Sequence, residues 1–449
     1  MLKMTLAQVA QAVGGALHGP ADLEVRGVFT DTRKPEAGAL FVALRGPRFD
    51  AHEFLATAAE AGAAAALVER RQEIALPQIV VDDTRLALGR LAAVWRAGWP
   101  GRLVALTGSN GKTTTKEMLA AILRERGPTL ATRGNLNNDI GVPLMLAELD
   151  PDQSFAVIEM GANHPGEIAY LTGLARPDVA LITNTGRAHL EGFGGPEGVI
   201  RAKGEIYSGL REGGVALVNV DDAGAAHWQA LNKDRAMLTF GMNHPADIQG
   251  RWQAVPAGGR LVLQTPGGEV TIELNVAGEH NARNALAAAS AALALGFELE
   301  EVKAGLESFG GVPGRLQRKR GPEESVLWDD TYNANPDSLR AGIEAVRGQG
   351  GETWLVLGDM GELGPESAVL HAESGRLART LGVARLFAVG PLALHAAQAF
   401  GAGAAHFTTI ETLVAALDEA LRPGVHVLIK GSRSSRMERV VQALEEPSC

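Results

Sequence analysis

The most informative segment of this chain reads Val104-Ala105-Leu106-Thr107-Gly108-Ser109-Asn110-Gly111-Lys112-Thr113-Thr114-Thr115. An apolar run leads into a glycine-rich turn that ends in Lys-Thr, and a helical pattern follows at 116–126. Glycines let backbone N–H groups face phosphate oxygens, and a helix N-terminus adds a partial positive charge. Lys112 can reach the outer phosphates, and the Thr113 hydroxyl can hold a magnesium ion. The segment therefore predicts a binding site for a nucleoside triphosphate on a strand–loop–helix unit.

The loop departs from the usual phosphate-binding pattern at one position. That pattern has a glycine five residues before its second glycine, and Leu106 stands there in this chain. The alternative is a glycine-rich turn that only joins a strand to a helix. The position of Gly-Lys-Thr between an apolar run and a helix favours phosphate binding over that alternative.

Length and composition define the class of protein. The chain has 449 residues, of which 46% are hydrophobic and 55 are glycine, and its formal net charge is −10. This length predicts two or three domains, and the composition is typical of an α/β protein with a sizeable core. The negative charge and the lack of a long basic run argue against nucleic acid as a partner. The single cysteine, Cys449, excludes a disulfide framework or a cysteine metal site within the chain.

The sequence carries no targeting or membrane-spanning pattern. Residues 1–20 place Gln8 and Gln11 inside an apolar pattern, which predicts an amphipathic helix and not a signal peptide. The longest nearly apolar run, at 285–296, is too short to cross a bilayer. We therefore expect a cytoplasmic protein without membrane insertion.

Apolar runs and turn signals divide the chain into three predicted domains, 1–85, 86–312 and 313–449. In the first domain, short strands such as 25–29 and 40–44 alternate with helices. The middle domain has apolar runs typical of strands buried on both faces of a parallel sheet, at 103–107, 155–159, 179–183 and 215–219. Three further strands within 248–276 are separated by Gly/Pro turns and predict antiparallel hairpins.

The last domain repeats the alternation of strands and helices, with strands predicted at 326–328, 353–357, 385–389 and 426–429. The predicted fold is therefore a three-domain α/β protein. Its central domain has a P-loop ATPase-like, mostly parallel sheet with added antiparallel hairpins, and its C-terminal domain is Rossmann-like.

Several residues outside the loop sit where functional groups are expected. Glu159 ends a predicted strand of the parallel sheet, where a carboxylate faces the ligand crevice and can hold magnesium, although a solvated acid is the alternative. His189 lies in a glycine-flanked loop, and its residue type favours a structural role because magnesium prefers oxygen ligands. Lys203 lies on a predicted helix, where sequence spacing favours a surface lysine.

Other candidates have two interpretations each. Asn281 and Asn284 share a face at a helix start, so they either cap the helix, the simpler explanation, or bind a base edge. Asp330 follows a predicted strand and either binds a ribose hydroxyl or initiates the next helix. Arg315 either contacts a phosphate or is a surface charge.

Ordered motifs extend from Thr5 to about Leu444. They are Thr30-Asp31-Thr32-Arg33, Phe41-Val42-Ala43-Leu44-Arg45-Gly46, Arg48-Phe49-Asp50-Ala51-His52, the 107–115 loop, Gly134-Asn135-Leu136-Asn137-Asn138-Asp139-Ile140-Gly141, the segments 188–194 and 202–207, Gly358-Asp359-Met360-Gly361-Glu362-Leu363-Gly364 and Lys430-Gly431-Ser432-Arg433-Ser434. This set resembles the Mur ligases, the ATP-dependent amide-forming enzymes of peptidoglycan synthesis.

The resemblance implies a set of nucleotide and metal contacts. ATP would bind through Gly108, Ser109, Asn110, Gly111, Lys112, Thr113 and Thr114, with Asn281 at the adenine, Arg315 at the phosphates and Asp330 at the ribose. Catalysis would depend on Lys112, Glu159, His189 and Lys203. Thr113 and Glu159 would serve a first magnesium ion, and His189 and Lys203 a second. The resemblance implies that Lys203 is a carbamate made with CO2, which would turn a cation into an oxygen ligand.

The resemblance also implies the substrates, UDP-N-acetylmuramoyl-tripeptide and D-Ala-D-Ala. The first domain would hold the uridine nucleotide, with Thr32, Arg33 and Arg45 as contacts. Asn137 and Asn138 would bind the muramoyl peptide, and the last domain would supply part of the D-Ala-D-Ala pocket through Tyr332, Asn333 and Asn335. ATP would activate the tripeptide carboxylate as an acyl phosphate, which the dipeptide amine attacks to give a pentapeptide. A monomer is expected.

Two features bear on how far the resemblance extends. Arg187 stands where a small or apolar residue is expected before Ala188-His189, and the chain lacks the Asp-Asn-Pro-Arg segment of relatives that add diaminopimelate. Another ligase of the same scaffold, such as a folylpolyglutamate synthase or a peptide-recycling ligase, is one alternative. A nucleotide switch that hydrolyses ATP slowly is the other, and its turnover would ignore D-Ala-D-Ala.

Overall fold

The computed structural model describes residues 2–47, 49–186, 193–255 and 258–446. Within these ranges, the strands form three large sheets of five, nine and six strands and two small two-stranded sheets. Each predicted domain contains one of the large sheets. The α/β class is confirmed, while the domain limits at 85 and 312 stay predictions.

The nine-stranded sheet is the centre of the molecule. Its strands lie in the order Thr129–Ala131, Phe155–Glu159, Arg102–Thr107, Val179–Ile182, Val215–Asn219, Met237–Gly241, Ile248–Val255, Gly258–Thr265 and Gly268–Leu274. The first seven run parallel to their neighbours, and the last two add antiparallel pairings. This arrangement confirms the predicted parallel sheet with added hairpins.

Helices cover both faces of this sheet, because successive strand residues point in opposite directions. Val104 and Leu106 pack on one face with the helices Lys112–Arg124, Glu279–Ala294 and Leu299–Ser308. Leu103 and Ala105 pack on the other, with the helices Gly141–Ala147, Glu167–Ala175, Pro196–Gly204 and Ala225–Leu231 and a 3-10 turn at Glu205–Gly209.

The five-stranded sheet lies in the first domain. Its strands are ordered Ala16–His18, Gln78–Val80, Ala65–Val68, Leu40–Val42 and Val28–Phe29. Its helices are Leu6–Val13, Leu55–Glu60 and Thr84–Gly98, with a 3-10 turn at Ala51–Phe54. The small sheets pair Lys3–Thr5 with Glu24–Arg26 and Arg45–Gly46 with Phe49–Asp50. Helix Thr84–Gly98 contributes Leu88 and Leu91 to this domain's core and Ala92 to the central one.

Two predictions for the first domain were wrong. The helix predicted over residues 1–20 covers only Leu6–Val13: a Thr5–Gln8 capping box starts it, and Gly14, at φ 70°, ends it. The single strand predicted at 25–29 is two strands in different sheets, because Gly27 turns the chain at φ 82°.

The six-stranded sheet forms the last domain. Its order is Gln317–Arg320, Val326–Asp330, Val425–Lys430, Glu352–Gly358, Arg385–Val389 and Ala404–Phe407, and only the first strand is antiparallel. The helices are Pro336–Arg347, Ser367–Thr380, Ala393–Phe400, Ile410–Ala420 and Glu438–Leu444, with 3-10 turns at Pro322–Glu324, Gly364–Glu366 and Arg433–Ser435. Hydrophobic clusters on both faces confirm the doubly wound architecture.

Sequence patterns missed the edge strands Gln317–Arg320 and Ala404–Phe407. The first is entirely polar and the second only partly buried, so neither carries the continuous apolar signal of the central strands. None of the helices in the described part of the chain has the length and apolarity that a membrane span requires.

Candidate active site

The glycine-rich loop turns sharply between strand Arg102–Thr107 and helix Lys112–Arg124. Gly108 has φ 152°, and a Cβ atom built there would lie 2.0 Å from Thr183 Oγ1. Gly111 has φ 79°, and its Cβ would lie 2.1 Å from Asn284 Oδ1. Only glycine fits this backbone, because any side chain would collide with a neighbouring element and strain φ at Gly111.

The strand beside the loop fixes its shape. Ser109 N–H donates to the Asn184 carbonyl over 2.9 Å, and Asn110 N–H donates to Asn184 Oδ1 over 3.0 Å. The Thr183 hydroxyl donates to the Asn110 carbonyl over 2.7 Å. Thr183 and Asn184 directly follow strand Val179–Ile182, so the carboxyl edge of the parallel sheet supports the loop, as expected for a ligand site in this architecture.

Glu159 lies beside the helix start, at the end of strand Phe155–Glu159. The Thr113 hydroxyl donates to Glu159 Oε2 over 3.1 Å, and Asn137 Nδ2 donates to Glu159 Oε1 over 2.9 Å. Glu159 is 2% exposed, so the alternative of a solvated strand-end acid was wrong. The three side chains present a compact set of oxygen atoms next to the glycine-rich loop, and oxygens are the ligands that magnesium prefers.

Lys112 folds back over the loop. Its Nζ donates to the Gly108 carbonyl over 2.7 Å and lies 3.4 Å from the Ser109 carbonyl. Burial lowers the pKa of Lys112, while the nearby Glu159 carboxylate partly opposes that shift. The Lys112 side chain is thus held against the backbone of the loop that precedes it.

The last domain brings Arg315 and Tyr332 to the loop. Arg315 Nη2 lies 3.5 Å from Thr113 Oγ1, and its guanidinium stacks 4.0 Å above the Tyr332 ring. Within the described residues, Arg315 Nε and Ser109 Oγ are buried without a hydrogen-bond partner. Buried donors of this kind normally find a partner, and phosphate oxygens would satisfy both. This observation fits a bound polyphosphate.

Asp330 is the last residue of strand Val326–Asp330, not the first residue after it. Its Oδ2 accepts a 2.5 Å hydrogen bond from Lys430 Nζ, which also donates to the Asn333 carbonyl over 3.0 Å. Burial lowers the pKa of Lys430, and the Asp330 carboxylate opposes that shift. Asp330 does not start the following helix, because the Asn335 side chain caps it.

Asn281 and Asn284 do not cap their helix, so that interpretation was wrong. The N-cap is Gly278, which makes no side-chain cap bond. Asn281 Nδ2 donates to the Ala277 carbonyl over 2.8 Å, and Asn284 Oδ1 lies 3.4 Å from Thr115 Oγ1. Both asparagines line the cleft, and neither side chain accepts a hydrogen bond from the free N–H groups at the helix start.

Lys203 is buried, contrary to the surface position favoured by its spacing. It is 2% exposed on helix Pro196–Gly204, and its Nζ lies 5.7 Å from the centre of the Phe193 ring. Burial and, to a smaller extent, the nearby Lys112 cation together lower the pKa of Lys203 to about 7. His189, the other residue of the implied second metal site, and Arg187 lie outside the described residues.

These groups line one cleft of about 460 Å³ between the middle and last domains. Of the implied residues it includes Ser109, Asn110, Gly111, Lys112, Thr113, Thr114, Asn137, Glu159, Asn281, Arg315, Asp330, Tyr332, Asn333 and Asn335. Gly108 and Lys203 are not among the residues that line the cleft.

The remaining implied substrate residues lie elsewhere or make local contacts. Thr32, Arg33 and Arg45 belong to the first domain and do not line this cleft. Arg33 pairs with Asp31 over 2.7 Å, and Arg45 lies 3.8 Å from both Asp50 and Glu69. Asn138 Oδ1 accepts a 2.8 Å bond from Gly141 N–H at the start of helix Gly141–Ala147.

Sequence reasoning missed several residues of the cleft, including Thr183, Asn184, Asp221 and Arg283. The first two follow a parallel strand, so the strand-end rule that found Glu159 would have found them. Arg283 gives no such signal, because only folding brings its Nη1 within 3.0 Å of Asp221.

Comparison with known proteins identifies the family. Three family models match in chain order: "Mur ligase family, catalytic domain" at 24–96, "Mur ligase middle domain" at 106–292 and "Mur ligase, glutamate ligase domain" at 314–433. The UDP-N-acetylmuramoyl-tripeptide–D-alanyl-D-alanine ligase of Escherichia coli is 46% identical over 99% of both chains. The chain belongs to the Mur ligase family. This result confirms the resemblance stated from the sequence motifs.

Solved structures agree with this Mur ligase over nearly its whole length. MurF from Acinetobacter baumannii superposes with a TM-score of 0.92 at 41% identity and covers 98% of both chains. MurF from Thermotoga maritima, solved in complex with ADP, gives a TM-score of 0.83 at 29% identity over 93% of this chain and 97% of that one. The three-domain fold of this Mur ligase is therefore shared with MurF enzymes.

Proposed function

We propose that this Mur ligase joins D-Ala-D-Ala to UDP-N-acetylmuramoyl-tripeptide and converts ATP to ADP and phosphate. The observation that carries the proposal is the single cleft in which the glycine-rich loop, the Thr113–Glu159 pair and the buried donors of Arg315 and Ser109 meet. The 46% identity with the E. coli ligase, over 99% of both chains, supports the choice of substrates.

The cleft has matching chemistry for each part of ATP. The N–H groups of the first helical turn, Lys112 and Arg315 suit the phosphates, because all are donors at or beside a helix N-terminus. The carboxylate of Asp330 suits ribose hydroxyls, and the Asn281 amide, next to Asn284, suits a base edge. Thr114, in the first turn of helix Lys112–Arg124, also lines the cleft and is proposed to contact the nucleotide. The Thermotoga maritima relative was solved in complex with ADP, which supports the binding of an adenine nucleotide by this chain.

Magnesium is part of the proposal. Thr113 and Glu159 offer oxygen ligands. A magnesium ion commonly takes one or two protein oxygens and completes its shell with phosphate oxygens and water. Bound there, it would neutralise developing charge on the phosphates.

The reaction needs no nucleophile from the protein. The terminal carboxylate of the tripeptide attacks the γ-phosphorus of ATP, and the bond to the ADP oxygen breaks, which leaves an acyl phosphate. The neutral amine of D-Ala-D-Ala then attacks the acyl carbon, loses a proton, and inorganic phosphate leaves. Lys112 and Arg315 offset the negative charge that gathers in the first step. The chain thus contributes positioning and electrostatic stabilisation.

Lys203 is proposed to act as a carbamate, with His189 as its partner at a second magnesium site. Carbamate formation needs a neutral amine, and burial lowers the pKa of Lys203 to about 7, which makes that form abundant near neutral pH. Addition of CO2 to the neutral amine releases a proton and leaves an anionic carbamate, whose oxygens are ligands that magnesium prefers.

The remaining assignments of substrates and surroundings are part of the same proposal. The uridine nucleotide would bind the first domain near Thr32, Arg33 and Arg45, with Asn137 and Asn138 at the muramoyl peptide. Tyr332, Asn333 and Asn335 would border the dipeptide. The enzyme would work as a cytoplasmic monomer with domain limits near 85 and 312, which light scattering and limited proteolysis can test.

The test is phosphate release from ATP in the presence of UDP-N-acetylmuramoyl-tripeptide, with and without D-Ala-D-Ala. We expect release to require both substrates and to yield the pentapeptide, identified by mass spectrometry. Release that ignores both would overturn the ligase proposal and leave an ATPase. Release with a different acceptor would assign another ligase of this scaffold.

A further inference from the structure

One buried cation near the cleft has no role in the proposed chemistry. Lys116 is 1% exposed and lies one helical turn after Thr113 on helix Lys112–Arg124. A lysine is almost never fully buried unless its charge is paired, because burial removes its hydration. The contacts of Lys116 therefore show which groups compensate for the burial of its ammonium group.

Lys116 reaches away from the nucleotide loop toward the edge of the central sheet. Its Nζ donates to the Thr132 carbonyl and lies 2.8 Å from Glu117 Oε1. Glu117 is one-third exposed, so the buried contact is the one with Thr132, which is itself 1% exposed. Thr132 directly follows the edge strand Thr129–Ala131.

Thr132 in turn holds the strand end that carries Glu159. Its hydroxyl accepts a 2.9 Å hydrogen bond from Glu159 N–H, and its own N–H donates to the Val157 carbonyl over 3.0 Å. The hydroxyl also lies 3.4 Å from the Val157 carbonyl. Thr132 thus extends the pairing between the edge strand and strand Phe155–Glu159 beyond the end of the edge strand.

The loop that carries Asn137 begins directly after Thr132. The chain leaves the sheet after Thr132 and returns at Asn137, whose Nδ2 donates to Glu159 Oε1 and whose carbonyl accepts from Gly161 N–H over 2.8 Å. Glu159 is therefore held from behind by Thr132 and from one side by Asn137. The Lys116 side chain links Thr132 to the helix that carries Thr113.

We infer that Lys116 is a positioning residue that sets the separation between Thr113 and Glu159, and hence the affinity for magnesium with nucleotide, through Thr132. This inference rests on the proposed function. The helix presents Thr113, the strand presents Glu159, and Lys116 ties the two together behind the site. Residues that orient metal ligands typically change metal affinity or activity roughly 10- to 100-fold when they are removed.

The test compares Lys116→Met and Thr132→Val with two matched controls. Lys116→Met keeps length but loses the donor, and Thr132→Val keeps shape but loses the hydroxyl. Glu117→Gln removes the ion pair while leaving the Thr132 contact. Thr172→Val removes a similarly buried hydroxyl, which donates to the Ile206 carbonyl over 2.9 Å on the opposite side of the sheet.

The measurement is calorimetric binding of ADP to the full-length protein over a range of magnesium concentrations, with thermal unfolding of each variant as a check. We expect the half-saturating magnesium concentration to rise roughly 10- to 100-fold in Lys116→Met and Thr132→Val. We expect little change in the two controls, and little change in metal-free ADP binding for all four variants.

Unchanged magnesium dependence in a folded Lys116→Met variant would overturn the inference, and so would an equal rise in Thr172→Val. If Lys116→Met does not fold, Lys116→Gln decides the question by the same criterion, because it removes the charge and shortens the side chain, while Thr132→Val tests the hydroxyl contact with Glu159 alone. Failure of the proposed function is recognised separately, because phosphate release by the wild-type protein would then not require both substrates, whatever the magnesium dependence of ADP binding.

Discussion

Asn335 donates a hydrogen bond from Nδ2 to Oδ1 of Asn110 over 3.0 Å, and this bond joins the last domain to the glycine-rich loop. The same Asn335 accepts a 2.8 Å bond from Ser338 N–H through its Oδ1, so one side chain both caps helix Pro336–Arg347 and contacts the loop. Loop shape and the position of the last domain are thus coupled through one amide pair.

The Asn110–Asn335 pair should contribute to nucleotide binding as a unit. We expect Asn110→Ala and Asn335→Ala each to weaken ADP binding, and the double variant to weaken it by less than the sum. The coupling free energy should be about 1 kcal/mol, since the two residues are in direct contact. Titration calorimetry on the four proteins measures it, and the lost helix cap of Asn335 cancels in the cycle. Strictly additive effects would contradict the coupling.

Loss of Lys112 should abolish most activity. We expect Lys112→Met to reduce kcat by roughly 10²- to 10³-fold, because it removes a preorganised cation from the site of charge build-up. Lys233→Met is the matched control, since Lys233 is exposed on the surface of the same domain. Steady-state phosphate release with all substrates present measures both. Similar rates for the two variants would remove Lys112 from the catalytic machinery.

Arg315 should act mainly on ATP binding. Its Nε is buried without a partner among the described residues, and its guanidinium stacks on Tyr332, so it is held ready for an anion. We expect Arg315→Met to raise the KM for ATP by roughly 10- to 100-fold, as for the loss of a hydrogen bond to a charged group. Arg318→Met, at an exposed position on the neighbouring strand, should leave KM unchanged. Equal KM values would speak against phosphate contact.

Gly111 should tolerate no side chain. Gly111→Ala combines φ 79° with a Cβ that would lie 2.1 Å from Asn284 Oδ1. Gly213→Ala is the control, because it has φ 73° but open space around the position. We expect Gly213→Ala to cost about 1 kcal/mol of stability from φ strain and to keep ADP binding. Gly111→Ala should lose ADP binding by calorimetry; if it binds ADP normally, the loop geometry does not set affinity.

Activity should depend on CO2 in a pH-dependent way through Lys203. Burial lowers the pKa of Lys203 to about 7, so its neutral, CO2-reactive form grows as pH rises through that value. We expect bicarbonate to restore activity to CO2-depleted enzyme more fully at about pH 8 than at about pH 6. A carbamate signal in carbon-13 NMR with labelled bicarbonate should follow the same trend and vanish in Lys203→Met. Activity indifferent to CO2 would contradict the carbamate.

Much of the fold could be predicted, because local signals and tertiary structure agree in the central domain. The parallel strands Arg102–Thr107, Phe155–Glu159, Val179–Ile182 and Val215–Asn219 carry continuous apolar runs, so their positions were predicted to within one or two residues. The parallel strands Thr129–Ala131 and Met237–Gly241 of the same sheet were missed. The polar edge strand Gln317–Arg320 and the two strands separated by Gly27 lack such runs, and the sequence patterns misjudged them. The positions of those strands depend on hydrogen bonds to partner strands elsewhere in the chain.

The sequence by itself determined the family, the nucleotide loop and the strand-end acid Glu159, because each depends on residue types at short, fixed spacing. Tertiary structure alone decided that Lys203 and Lys116 are buried and that Asn335 meets Asn110 across 225 residues of chain. Burial and contact of this kind depend on how separate elements pack. Spacing within one element cannot distinguish a lysine that faces solvent from one that faces the next strand.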